Sequence, residues 1–80
     1  MQSVDLGGRA DVVIIPPEPG REAAMARRGV SVASAIRYVV EQLSTDERSR
    51  AVVRTDSVLL FSSEIEALYD RPGFPKRTGH

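Results

Sequence analysis

Apolar residues recur three or four apart over one stretch of the chain: Val32, Ala35, Ile36, Val39, Val40 and Leu43. At about 100° per residue they fall on one face, with Ala33 at its edge. Ser34, Arg37 and Glu41 point the other way, and Tyr38 lies on the flank. The spacing predicts a central amphipathic helix over 31–43, with Ser31 as its N-cap. The apolar arc spans roughly 160°, wide enough for two neighbours to cover it and too wide to leave a broad polar face.

Two other patterns flank this helix. Asp11-Val12-Val13-Ile14-Ile15 is β-branched after its first residue and predicts a strand, stopped by Pro16-Pro17. Its apolarity is continuous, which implies cover on both faces or a pairing partner from another chain. Pro16-Pro17-Glu18-Pro19-Gly20 reads as a stiff connector with few free backbone donors. Arg21 to Arg28 contains Ala23, Ala24, Met25 and Ala26, good helix formers. It predicts a short helix before the central one, with Gly29 in the left-handed position that ends many helices. The alternative is one helix over 21–43 with Gly29 inside it.

After the central helix, Ser44-Thr45-Asp46-Glu47-Arg48 predicts a single turn capped by Thr45 or Asp46. Ala51-Val52-Val53-Arg54 and Val58-Leu59-Leu60-Phe61, split by Thr55-Asp56-Ser57, predict a β-hairpin without an Asn-Gly or Asp-Gly turn. Ser63-Glu64-Ile65-Glu66 has capping-box form and opens a C-terminal helix through Leu68 and Tyr69, which Pro72-Gly73 stops. The expected fold is therefore a small α+β domain: a central helix, a short helix before it, a C-terminal helix and two to three short strands. The expected boundaries are a flexible segment at 1–10, one domain at 11–71 and a basic tail at 72–80.

Composition narrows the possibilities. Eighty residues with only two Phe, two Tyr and no Trp give a light, aliphatic core that a second chain could complete. The absence of Cys removes disulfides, thiolate metal sites and Cys nucleophiles. The longest apolar runs, Val12 to Ile15 and Val58 to Phe61 among them, are too short for a membrane span, and a cytoplasmic setting is the default. Eleven basic and eleven acidic residues balance, which argues against a general affinity for nucleic acid or anionic lipid. Ten of the eleven basic residues are Arg, the side chain suited to bidentate contacts with carboxylate or phosphate.

No catalytic set emerges. His80 is the only histidine and is terminal, so neither a triad nor a His-based metal site has its imidazole held in place. The acidic pairs Asp46 with Glu47 and Glu64 with Glu66 fall where acids favour a helix start, which assigns them to capping. Gly7-Gly8-Arg9 precedes a strand, whereas a phosphate loop follows one. No cofactor or metal is expected.

Ala26-Arg27-Arg28-Gly29-Val30-Ser31 resembles the turn of the helix-turn-helix DNA-binding family, in which a short helix ends at Gly and the next begins at Ser. That resemblance implies nucleic-acid contacts from Arg27, Arg28, Ser31 and Arg37. The chain departs from the family where Arg28 stands before the glycine and Tyr38 takes the place of a small aliphatic. The outward positions Ser34, Arg37, Glu41 and Gln42 also offer few base-reading groups. The basic tail from Arg71 to Arg77, with Phe74 in it, could clamp nucleic acid or dock in a partner groove. The expected function is thus a non-enzymatic interaction module acting through itself or a protein partner. Its expected contacts are Val12, Val13, Ile14, Ile15 and Phe74. A helix-turn-helix-like DNA-binding regulator and a small enzyme or ligand-binding subunit are the alternatives.

Overall fold

The computed structural model describes residues 6–74. The elements are β1 (Arg9–Ile14), β2 (Ala24–Ser31), α1 (Val32–Gln42), α2 (Thr45–Ser49), β3 (Ala51–Thr55), β4 (Leu59–Leu60) and α3 (Ser62–Tyr69). The strands form one sheet in the order β2-β1-β3-β4, antiparallel at every junction. α1 and α3 pack on one face of that sheet and on each other. The α+β class expected from the sequence is the one observed.

The core forms between the helices and the inner sheet face. Val32, Ala35, Ile36, Val39 and Leu43 from α1 and its C-cap meet Ala10 and Val12 of β1, Ala51 and Val53 of β3, and Ile65 of α3. Val40 is half-buried against the same cluster. The first turn of α1 has all its leading amides paired: Val32 N–H donates to Gly8 O, Ala33 N–H to Leu6 O, and Ser34 N–H to Ser31 Oγ. Ser31 is therefore the N-cap, as its sequence position implied. These bonds also tie residues 6–8 to the domain, and Arg9 and Ala10 belong to β1, so that half of the segment expected to be loose is structural. Residues 1–5 lie outside the described residues.

The short helix expected at 21–28 is not there. Residues 24–31 form β2, paired along β1 from Arg9↔Ser31 to Ile14↔Ala24. Helix propensity separates ordinary residues by only about 0.7 kcal/mol. Without β2, the outer edge of β1 would present a row of unpaired backbone groups, and pairing them outweighs the local preference. Gly29 does take positive φ, +66°, but inside the strand rather than at a helix end. The register slips by one residue twice, between Ala10 and Val12 and between Val12 and Val13, so β2 carries two bulges.

The remaining elements follow their local chemistry. Ser44, rather than Thr45 or Asp46, caps α2. Its hydroxyl accepts Glu47 N–H and its own N–H donates to the Glu47 carboxylate, a reciprocal box. The β3–β4 hairpin closes without glycine because Thr55 Oγ1 accepts the N–H groups of Ser57 and Val58 and donates to Val58 O. α3 starts one residue before the expected cap. Phe61 N–H donates to Glu64 Oε1 at 2.9 Å, and Phe61 has no side-chain acceptor to return the bond. Tyr69 Oη donates to Glu41 Oε2 at 2.7 Å and links α3 to α1, and that carboxylate pushes the phenol above its ordinary 10.0. Beyond Gly73 the chain folds back and buries Phe74 against the Tyr69 ring, centroids 5.5 Å apart. The rest of the expected tail, 75–80, with Lys76, Arg77 and His80, lies outside the described residues.

Ile36 and Ile65 are fully buried and face each other's layer. Ile36→Ala should lower stability by about 2–5 kcal/mol, read as a lower urea midpoint with unchanged slope. An effect under about 1 kcal/mol would mean that α1 is not the centre of the core.

Candidate functional site

Successive side chains of a strand point to opposite faces. On β1, Ala10 and Val12 enter the core and Ile14 packs against it, so Arg9, Asp11, Val13 and Ile15 face the other way. On β3, Ala51 and Val53 are core, and Val52 and Arg54 face outward. No helix covers this outer face among the described residues. It divides into two rows running across the strands.

The apolar row is built on the pairs Val13↔Met25 and Val13↔Val52. Val53↔Leu60 sets the β4 register, which puts Phe61 level with Val52 at the far end. Met25 is 42% exposed and Phe61 51%, while Val52 between them is shielded to 7% without belonging to the core cluster. Ile15 and Leu59, 46% and 50% exposed, flank the row. These four are all the exposed large hydrophobic residues of the described chain, and strand alternation gathers them on one face.

The charged row lies one pair further along, on Asp11↔Arg54 and Arg54↔Leu59, with Arg28 on β2 beside Asp11. Asp11 Oδ1 accepts Gly29 N–H at 2.8 Å and Oδ2 accepts Arg54 Nη2 at 2.9 Å. The carboxylate thus holds the bulge at Gly29 and ties β2 to β3 across β1. A Cβ on Gly29 would come within 3.1 Å of the Arg9 guanidinium, and its φ is one that side chains disfavour, so both reasons favour glycine there. Arg9, Arg28, Arg54, Asp11, Thr55 and Asp56 surround an open depression of about 500 Å³ at this end of the face. The Arg54 hydrogen bond, with that from Gly29, holds the Asp11 carboxyl below its ordinary 3.8.

The residues singled out for nucleic acid do not converge. Arg27 and Arg28 are neighbours on a strand and diverge. The Arg27 guanidinium lies 4.4 Å from the Tyr38 ring centroid on the helix side, and Arg28 borders the depression on the open side. Ser31 is engaged as the α1 cap, and Arg37 Nη2 donates to Ser34 Oγ at 3.3 Å. The helix-turn-helix resemblance fails geometrically because its first helix is β2. The residues expected to meet a partner are also divided. Val13 and Ile15 lie on the open face, whereas Val12, Ile14 and Phe74 serve the domain's own interior.

Sequence reasoning missed Asp11, Met25, Val52, Arg54 and Phe61. The signal was the period of two hidden in a continuous apolar run. Among the described residues α1 and α3 cover one face of the sheet, so every second residue of β1 and β3 lies on the other. Among the described residues no three His, Cys, Asp or Glu side chains gather to hold a metal ion, and no helix is long and apolar enough to cross a membrane. Comparison with protein-family models, with curated proteins and with solved structures finds no match to the chain.

Because the folded pKa of Asp11 lies below its unfolded value, its bonds stabilise the fold above that unfolded value, near 3.8. The contribution is lost as pH falls through the lower folded value. The melting temperature of the wild type should exceed that of Asp11→Asn by a constant margin from about pH 5 to 7, and the margin should shrink below about pH 4. A margin unchanged down to about pH 2 would show that the carboxylate charge is not what holds the bulge.

Proposed function

We propose that this protein is a non-enzymatic interaction module that associates with a second copy of itself through the helix-free face of its sheet. The observation that carries this reading is the apolar row Met25, Val13, Val52 and Phe61, flanked by Ile15 and Leu59. Large exposed apolar side chains gathered on one face of a small domain mark a contact surface. The sheet edges support the face rather than themselves as the route. β2 is an edge strand with two bulges and with Arg27-Arg28 at its middle. Two copies pairing edge to edge there would set arginines opposite one another. β4 is two residues long and offers little to pair with.

The other readings have less behind them. A carboxylate held ionised by an arginine, as Asp11 is, makes a poor proton carrier near neutral pH. The DNA-binding reading loses the helix pair on which it was built. A cytoplasmic setting belongs to the proposal, since the chain has no cysteine and so nothing that uses an oxidising compartment.

Four strands span only about 15 Å between the outermost two, so the contact is small and the affinity on the order of micromolar to tens of micromolar. Sedimentation from about 1 μM to 1 mM should show a monomer–dimer equilibrium. Met25→Glu should weaken it by at least about tenfold while leaving the melting temperature within a few degrees, because position 25 is exposed on an edge strand. Phe61→Ser should separate the two properties. It removes apolar contact area and supplies the missing cap of α3, so association falls while stability holds or rises by up to about 1 kcal/mol. A wild-type chain still monomeric at about 1 mM would overturn the reading.

A further inference from the structure

The outer face carries more information than its apolarity, because its charged row has an order. Across the strands that row reads Arg28, Asp11, Arg54, Leu59, and the row beside it reads Met25, Val13, Val52, Phe61. We infer that the second copy docks with its two-fold axis running along the strands, between β1 and β3, so that Asp11 of each copy faces Arg54 of the other. This rests on the self-association reading above and specifies its geometry.

The argument is one of elimination by charge. In a face-to-face pair related by a two-fold axis, the axis lies in the plane between the sheets, and the same patch serves both copies. If the axis ran across the strands between the two rows, the charged row of one copy would be pressed onto the apolar row of the other. Arg28, Asp11 and Arg54 would then lose water over Met25, Val13 and Val52 with nothing to replace it. An axis along the strands keeps charged row on charged row and apolar row on apolar row. Packed sheets keep their strands within about 30° of alignment, which this arrangement respects.

Sign and strand overlap together then fix the position of that axis. Centred on β1, it would put Asp11 over Asp11 and Arg28 over Arg54, like on like. Centred on β3, it would put Arg54 over Arg54. Between β2 and β1 it would set Asp11 over Arg28 but overlap only those two strands of each copy. Between β1 and β3 all four strands overlap and the reversed order Leu59, Arg54, Asp11, Arg28 complements the original, giving Asp11 over Arg54 and Arg54 over Asp11. Each carboxylate then lies among two guanidinium groups, and each Arg54 has donors to spare, since the described residues engage only its Nη2. The aliphatic stem of Arg28 covers Leu59 at both rims. In the apolar row the same axis sets Val13 over Val52 and the Met25 sulfur over the Phe61 ring, a favourable pairing of a polarisable thioether with an aromatic.

Charge reversal tests the arrangement. Asp11→Arg and Arg54→Asp should each weaken self-association by at least about tenfold, since each sets like charges across the axis. Mixed together, the two variants should form a heterodimer, recovering to within about threefold of the wild-type dissociation constant. In the mixture the introduced arginine faces the introduced aspartate, and the native Arg54 of one chain faces the native Asp11 of the other. Failure to recover, with both variants folded by circular dichroism, overturns the arrangement.

A second measurement covers the case in which either variant unfolds. Met25→Cys and Phe61→Cys alter exposed positions in a chain that has no other cysteine. A short bifunctional maleimide should join the two variants to each other in a mixture and should join neither to itself. Self-linking of Met25→Cys overturns the arrangement while leaving face-to-face association standing. A wild-type chain that sediments only as a monomer removes both.

Discussion

The structure depends on the needs of one strand. β1 is β-branched from Val12 through Ile14, which favours extended backbone. As a central strand it must pair both edges and cover at least one face. β2 takes one edge, β3 takes the other, and α1 covers the face that holds Ala10 and Val12. Because β2 and β3 flank the same strand and both run antiparallel to it, they are parallel to each other. The segment between them must therefore cross the sheet, and α1 makes that crossing with its apolar arc turned inward. The preceding residues 6–8 pair with the first amides of α1 and lock its entry angle.

Asp11 lies where this arrangement meets its main irregularity. Two bulges shorten the match of β2 to β1 and twist the edge. One of them contains Gly29, whose N–H would have no strand partner in the ordinary ladder. The Asp11 carboxylate accepts that N–H and the Arg54 guanidinium together, so a single side chain spans three strands. The same carboxylate and guanidinium leave an ordered pair of charges on the open face. A local repair of backbone pairing is thus also the feature that gives the outer face its polarity.

The open face follows from where the helices lie. Among the described residues α1 and α3 are the helices that bury side chains, and both lie on the side of Val12 and Val53, while the five-residue α2 buries none. Val13, Val52 and Met25 lie on the outer face with Phe61, and Val52 is nearly fully shielded there although it does not belong to the core cluster. The contrast with Phe74 is instructive. It looked free in the sequence because Pro72-Gly73 ended the helix before it, yet the positive φ of Gly73 turns the chain back onto Tyr69.

By itself the sequence determined what short-range physics determines. The 3.6-residue period over Val32 to Leu43 specified α1, Ser31 its cap, the β-branched run β1, and the two apolar runs after residue 50 the β3–β4 hairpin. Each rests on side-chain direction, capping or backbone stiffness within a few residues. The conformation of Gly29 was legible too, but not its use. Only the tertiary structure decided that 24–31 pairs as a strand, because the deciding term was the unpaired edge of β1, up to about twenty residues away. It likewise divided Val12 and Ile14 from Val13 and Ile15, since a continuous apolar run does not say which alternate residues meet a helix. The ordered row of Arg28, Asp11 and Arg54 exists only once three strands are in register.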